Sequence, residues 1–101
     1  MTRLIIPREL VARQLDVSPK ALIRFERLGL VRLTQEGSMK GYEPSQVHRI
    51  WTILSYQRDL GINLAGVQVI LRLRDQMLQL HHCLGGLAGE LRELLKDEDS
   101  E

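Results

Sequence analysis

An apolar stripe toward the C-terminus limits the folds that this chain can adopt. From residue 70 onward, apolar residues recur at alternating steps of three and four, over more than three heptads: Ile70, Leu73, Met77, Leu80, Leu84, Leu87, Leu91 and Leu94. Sustained spacing of this kind is typical of a coiled coil. A domain this small cannot bury so long a stripe by itself, and we therefore expect a second copy of the chain to cover it in a symmetric homodimer.

Three glycines, Gly85, Gly86 and Gly89, lie within this predicted helix. Each costs about 1 kcal/mol relative to alanine in a helix interior. Two interpretations stay open: the helix breaks at Gly85-Gly86 and its last part folds back, or the glycines let a partner backbone approach closely. The acidic residues 96–101 that follow are interpreted as a short tail.

Length and cysteine content indicate one cytoplasmic domain with an appendage. The chain has 101 residues, which suffices for a single core. Its single cysteine, Cys83, cannot form an intrachain disulfide, and the N-terminus lacks the pattern of a secretory signal. No apolar run approaches the roughly 18 residues that span a bilayer, so we expect no membrane association.

Charge is distributed unevenly along the chain. Residues 1–60 contain ten Lys or Arg and six Asp or Glu, whereas residues 61–101 contain four and seven, giving +4 and −3 respectively. A surface that binds phosphates is therefore expected in the first 60 residues.

Two short helices are predicted at the start of the chain. The first begins at Pro7 and repeats Leu10, Val11 and Leu15 at helical spacing. In "DVSPKALIRFERLG", Ser18 is the expected N-cap, Pro19 the first helical residue and Gly29 the left-handed residue that ends the second helix, with Leu22 and Phe25 facing inward. The pair is a candidate helix-turn-helix.

Residues 31–42, "VRLTQEGSMKGY", read as two short strands around Gly37 and Ser38, which together would form a wing. A third helix should start at Pro44, capped by Glu43 or Ser45, and stop near Gly61. We predict that its buried side comprises Val47, Ile50, Trp51 and Leu54. A further helix is expected after an N-cap at Asn63.

The predicted fold is mainly α: a winged helix-turn-helix domain followed by a C-terminal dimerising helix in a coiled coil. We assign residues 1–62 to the DNA-binding domain, 63–95 to the helix and dimerisation segment, and 96–101 to the acidic tail.

Three segments, "VSPKALIRFERLGLV", "GYEPSQVHRI" and "LGINLAGVQVIL", make roughly residues 4–73 resemble the N-terminal winged-helix domain of the MerR family of transcriptional regulators. The most similar branch is that of the HspR-like regulators of chaperone genes. Also similar is the CbpM group, small MerR-like proteins that bind a J-domain co-chaperone.

The resemblance implies that the second helix lies in the major groove and that the wing flanks it along the DNA backbone. The DNA-binding residues that it implies are Ser18, Lys20, Arg24, Arg27, Lys40 and Tyr42. Tyr42 matches the wing tyrosine of the family, Glu26 its acidic residue and Phe25 a usual aromatic.

The chain departs from the family at four places. Ile23 stands where an arginine is usual just before an aromatic pair, and Arg24 stands where the first aromatic of that pair is usual. Lys40 followed by Gly41 replaces a wing arginine, and Glu43 adds negative charge where serine is common. In the wing, the planar guanidinium of the usual arginine is thus replaced by the point charge of Lys40 and the bare backbone of Gly41. Ile23 either packs inside the domain or belongs to a protein-binding patch.

Neither a metal site nor an enzyme is expected. His81, His82 and Cys83 are consecutive, so on a helix they face different directions and cannot converge on one ion without a second chain. We found no catalytic constellation and no cofactor motif in the sequence.

The sequence therefore predicts a homodimeric, sequence-specific DNA-binding transcriptional regulator that acts on a palindromic operator. The alternative is a CbpM-like modulator of a J-domain co-chaperone with little or no DNA binding, which Ile23 and the reduced wing charge favour.

Overall fold

The computed structural model describes residues 4–99 of the chain. Within them it contains, in chain order, the helices and strands α1 (Arg8–Gln14), α2 (Pro19–Arg27), β1 (Thr34–Glu36), β2 (Met39–Gly41), α3 (Pro44–Arg58) and α4 (Leu64–Asp99). The chain divides into two units, residues 1–68 and residues 69–101. The predicted class, mainly α with a winged helix-turn-helix followed by a long C-terminal helix, is confirmed.

The predicted signals at both ends of α2 are confirmed. The Oγ atom of Ser18 accepts a hydrogen bond from the backbone N–H of Ala21 at 3.1 Å, as an N-cap should. At the other end Gly29 has a φ of +74°, and the N–H of Leu30 donates to the carbonyl of Phe25 at 2.9 Å. This left-handed turn satisfies carbonyls that the helix leaves without a partner.

The predicted wing is a two-stranded antiparallel sheet in which Thr34 lies opposite Gly41. The sheet is joined to the segment before α1 by a bridge between Ile6 and Tyr42, each donating its N–H to the other's carbonyl at 2.8 Å. A Cβ atom at Gly41 would lie 2.3 Å from the carbonyl oxygen of Ile6. The glycine that departs from the family's wing is thus the residue that lets these two backbones meet.

Helix α3 begins at Pro44, with Glu43 rather than Ser45 as its N-cap residue. Its buried residues are Ile50, Thr52, Ile53 and Leu54. The prediction that Trp51 belongs to the core is wrong, because its side chain is 54% exposed and its ring stacks on that of His48, with centroids 6.0 Å apart. Residue 51 is turned by about 100° from Ile50, which carries its large ring past the edge of the buried face.

The core of the first unit is built from side chains of several elements that are separated in the sequence. Its fully buried members are Leu22, Tyr42, Ile50, Ile53 and Val67. Leu22 comes from α2, Tyr42 follows β2, and Ile50 comes from α3. Burial of this core fixes the second helix and the wing on one scaffold.

Helix α4 starts where predicted, since the Oδ1 atom of Asn63 accepts the N–H of Gly66 at 2.8 Å. It runs without interruption for 36 residues, about 54 Å, through Gly85, Gly86 and Gly89. The interpretation in which the helix breaks at Gly85-Gly86 and folds back is therefore wrong. Of the predicted acidic tail, residues 96–99 lie within α4, and residues 100 and 101 lie outside the described part of the chain.

The apolar stripe of α4 is largely exposed. The exposed fractions of Leu73, Met77, Leu80, Leu84, Leu87, Leu91 and Leu94 lie between 53% and 63%, whereas Ile70 is partly buried. None of the helices within residues 4–99 combines the length and apolarity that crossing a bilayer requires.

Candidate nucleic-acid interface

Helix α2 presents a cluster of positive charge. Lys20, Arg24 and Arg27 are all exposed. At about 100° per residue their side chains leave the helix within an arc of about 60°. Ser18, at the N-terminal end of the helix, is also exposed, although its hydroxyl is engaged in the cap. Three of the predicted DNA-binding residues thus lie on one short helix, and a fourth caps it.

Ile23 lies at the edge of this basic arc. It is partly buried, in contrast to its exposed neighbours Lys20 and Arg24. Around the helix it lies about 40° beyond Arg27, and Glu26 follows about 60° farther on. The face of α2 therefore changes from basic through apolar to acidic.

The wing supplies one exposed cation, Lys40, in the middle of β2. Its charge adds to the hydrogen bonds from Arg8 and Tyr42 in keeping the pKa of Glu26 below its ordinary value. Tyr42, which follows β2, is fully buried. Its side chain thus lies inside the domain, whereas that of Lys40 faces solvent.

Glu26 is the centre of a network that joins α1, α2 and the wing. Arg8 donates two hydrogen bonds to its carboxylate, from Nε to Oε2 at 3.0 Å and from Nη2 to Oε1 at 2.8 Å. The hydroxyl of Tyr42 donates to the same Oε2 atom. A two-pronged arginine–carboxylate pair is among the stronger and most directional contacts that side chains make.

The ionisation of the network follows from these contacts. Burial disfavours the charge of Glu26, yet the hydrogen bonds from Arg8 and Tyr42 outweigh it, so the pKa of this carboxyl lies below its ordinary value. The hydrogen bond to Glu26 raises the pKa of Arg8, and burial followed by the Glu26 bond raises the pKa of Tyr42. Each partner is held in the protonation state that the network needs at neutral pH.

Two further arginines stabilise the domain from α3. Arg49 donates through Nε to the carbonyl of Leu30, in the loop after α2. Arg58 donates through Nη1 to the carbonyl of Leu15 at 3.0 Å, and through Nη2 to that of Asp16. Asp16 has a φ of +53°, so Arg58 holds the turn between α1 and α2 at its most constrained residue.

The cations of the described front half thus fall into two groups. Arg8, Arg49 and Arg58 donate hydrogen bonds to other parts of the domain. The other cations of this half are all exposed: Arg13, Lys20, Arg24, Arg27, Arg32 and Lys40. The anchoring roles of the first group were missed by sequence reasoning, because their partners lie 18 or more residues away in the chain. No local signal in the sequence distinguishes the two groups.

A cleft of about 490 Å³ lies beside the N-terminus of α2. Lys20 and Arg24 line it from α2, and Gln57 and Arg58 line it from α3. Gln57 was not singled out from the sequence. Asp16 also lines the cleft, but the three cations Lys20, Arg24 and Arg58 outnumber its carboxylate, so the cleft suits an anionic group such as a phosphate.

Within residues 4–99, no group of three or more His, Cys, Asp or Glu residues is arranged to hold a metal ion. Cys83 is a free, exposed thiol on α4. His81 and His82 precede it on the same helix and are exposed. We assign no chemistry to these three residues.

Comparison with known proteins extends beyond the first unit. The profile of the family described as MerR HTH family regulatory protein matches residues 6–88. A protein of Streptomyces coelicolor, provisionally named heat shock protein HspR, is 32% identical over 83 residues, which cover 80% of this chain and 55% of that protein. The chain thus spans about half the length of the curated relative it matches. No solved structure matches the chain.

Proposed function

Because this chain belongs to the MerR HTH family of regulatory proteins, we propose that it is a sequence-specific DNA-binding transcriptional regulator. It acts as a homodimer on a palindromic operator. Residues 1–62 form the DNA-binding domain, and residues 63–95 form the dimerising segment.

The observation that carries this proposal is the narrow basic arc of Lys20, Arg24 and Arg27 on a helix of helix-turn-helix type. Side chains on one face of such a helix enter the major groove together. Lys40 on the wing contacts the neighbouring backbone, and Ser18 approaches a phosphate at the start of α2. Since Tyr42 is buried, it acts on DNA through the wing that it holds.

The dimer is proposed from α4. Seven apolar residues of the predicted stripe are exposed, and a lone helix of 36 residues does not keep such a surface in water. A second copy covers them in a coiled coil through Ile70, Leu73, Met77, Leu80, Leu84, Leu87 and Leu91. A two-fold dimer presents two reading helices, which accounts for a palindromic site.

The proposal is tested by Lys20→Ala and Arg24→Ala. Each variant should bind duplex DNA more weakly, and the slope of log affinity against log salt should fall by about one unit for each phosphate contact removed. Arg92→Ala, which removes an exposed arginine of α4, is the matched control and should leave the slope unchanged. Unchanged binding in both α2 variants would remove this helix from the interface.

A second candidate function is favoured by one observation, the partial exposure of Ile23 beside the basic arc. An apolar side chain there suits a protein partner, and the alternative is a CbpM-like modulator that binds a J-domain co-chaperone. Under this alternative, the wild-type protein should retain a J-domain protein from lysate at low salt, and Ile23→Lys should not. If the wild type retains no chaperone component, the alternative fails.

A further inference from the structure

We propose that Arg8, Glu26 and Tyr42 form a clamp that sets the position of the wing relative to α2, which we call the reading helix. The clamp makes them positioning residues of the DNA interface. This inference rests on the proposed function, because the position of the wing matters only if both elements engage one duplex.

The clamp joins side chains from α1, from α2 and from the residue that follows β2. Arg8 is the first residue of α1, Glu26 lies near the end of α2, and Tyr42 follows directly on β2. Both oxygens of one carboxylate are used, Oε1 by Arg8 alone and Oε2 by Arg8 and Tyr42. Any sliding of the wing along α2 must break the hydrogen bond from the Tyr42 hydroxyl.

The backbone attaches the base of the wing to a different element. The bridge between Ile6 and Tyr42 ties it to the segment that enters α1, and Gly41 permits that close approach. The side chain of Tyr42 then reaches α2 through Glu26. Tyr42 therefore anchors the wing by its backbone to the segment before α1 and by its hydroxyl to α2.

The consequence for DNA is a fixed spacing between cations. Lys40 lies two residues before Tyr42, and the charge of Lys40 already acts on Glu26. With the clamp closed, Lys40 keeps one position relative to Lys20, Arg24 and Arg27. Preorganised contacts of this kind raise affinity for the one duplex geometry that fits, whereas sequence-blind attraction needs only the charges themselves.

The test uses Tyr42→Phe, which removes one hydroxyl and changes no charge. In the DNA-free protein, amide hydrogen exchange at the wing, residues 34–41, should accelerate about tenfold, while exchange at Ile50 and Ile53 in the core stays as in the wild type. In selection from a random-sequence duplex pool, the enrichment of the best sequence should fall by a similar factor. Total retention at low salt should stay the same, because every exposed cation remains.

Two further variants make the result decisive. Arg8→Lys keeps the positive charge but loses the two-pronged bond, and it should reproduce the effects of Tyr42→Phe. Tyr56→Phe, at the other tyrosine of the chain, is the matched control and should leave both measurements unchanged.

The proposal is overturned if amide hydrogen exchange at the wing is unchanged in both Tyr42→Phe and Arg8→Lys. It is also overturned if core amides accelerate as much as wing amides, which would indicate a general loss of stability. If wing exchange rises while enrichment of the best sequence is kept, the positioning role is refuted. Should the wild type enrich no sequence, the proposed function fails, whereas faster wing exchange in the variants would still establish the clamp.

Discussion

At the residue scale, the contacts of Glu26 account for an acidic residue on the helix that we propose to read DNA. Glu26 lies between Arg24 and Arg27 in sequence, where a negative charge opposes phosphate binding. Its carboxylate is occupied by Arg8 and Tyr42, and the side chain is only 16% exposed. The charge is thus used inside the domain, and the basic arc remains available to a ligand.

The pKa of Glu26 leads to a pH prediction. Because its pKa is lower in the folded protein than the ordinary value of 4.5, the carboxylate stabilises the fold above that value. This stability is lost as pH falls through the lowered pKa. Glu26→Gln should therefore lower the melting temperature at neutral pH and flatten its decline in acid, as followed by circular dichroism between about pH 2 and pH 7.

Glu36→Gln, which removes an exposed carboxylate from β1, is the control for this prediction. It should keep the melting temperature and the acid decline of the wild type. A Glu26→Gln variant with the wild-type acid profile would show that the network with Arg8 contributes nothing to stability.

At the element scale, features set by contacts between residues near in sequence were predicted, and features set by distant contacts were not. Ser18, Gly29 and Asn63 mark helix ends through contacts within a few residues, and all three were predicted. The role of Trp51 was predicted wrongly, because helical spacing places it near the buried face while the packing of other elements decides where that face ends. The anchoring of the turn by Arg58, across 42 and 43 residues, left no trace in local sequence.

The continuity of α4 through its three glycines leads to a prediction about the stability of the helix. With Ile70 at heptad position a, the three glycines Gly85, Gly86 and Gly89 occupy positions b, c and f. These positions lie away from positions a and d, which form the apolar stripe. A Cβ atom at Gly89 meets nothing within 4 Å in the chain. Gly89→Ala should therefore stabilise the protein by about 1 kcal/mol, measured by urea unfolding at fixed protein concentration.

The remaining interpretation of these glycines, close approach of a partner backbone, gives the opposite result. A methyl group would then separate the two chains. Weaker dimerisation of Gly89→Ala in sedimentation experiments would support close approach and contradict the heptad assignment.

At the scale of the whole molecule, the proposed regulator requires a second copy of the chain. The winged unit has a buried core of its own, whereas most of the stripe on α4 has no cover within residues 4–99. Two winged units, one from each chain of a dimer, are needed to read both halves of a palindrome. The sequence predicted this stripe from its spacing alone, because a heptad repeat is a local pattern.

Dimerisation through the apolar stripe of α4 is tested by Leu80→Lys and Leu84→Lys. Each substitution places a charge in the proposed dimer interface without a partner, so both variants should sediment as monomers. Gln79→Lys adds the same side chain at heptad position c and should remain a dimer. Dimers formed by both leucine variants would place the interface elsewhere.

Selection from mixed duplex DNA shows whether this protein reads a DNA sequence. The purified protein is incubated with random and genomic duplex DNA at about 50 and 200 mM salt, and the retained DNA is sequenced. We predict that one palindromic sequence is enriched and that its enrichment survives the higher salt. Retention that is blind to sequence, or that vanishes at the higher salt, would contradict the proposed function and direct attention to a protein partner at Ile23.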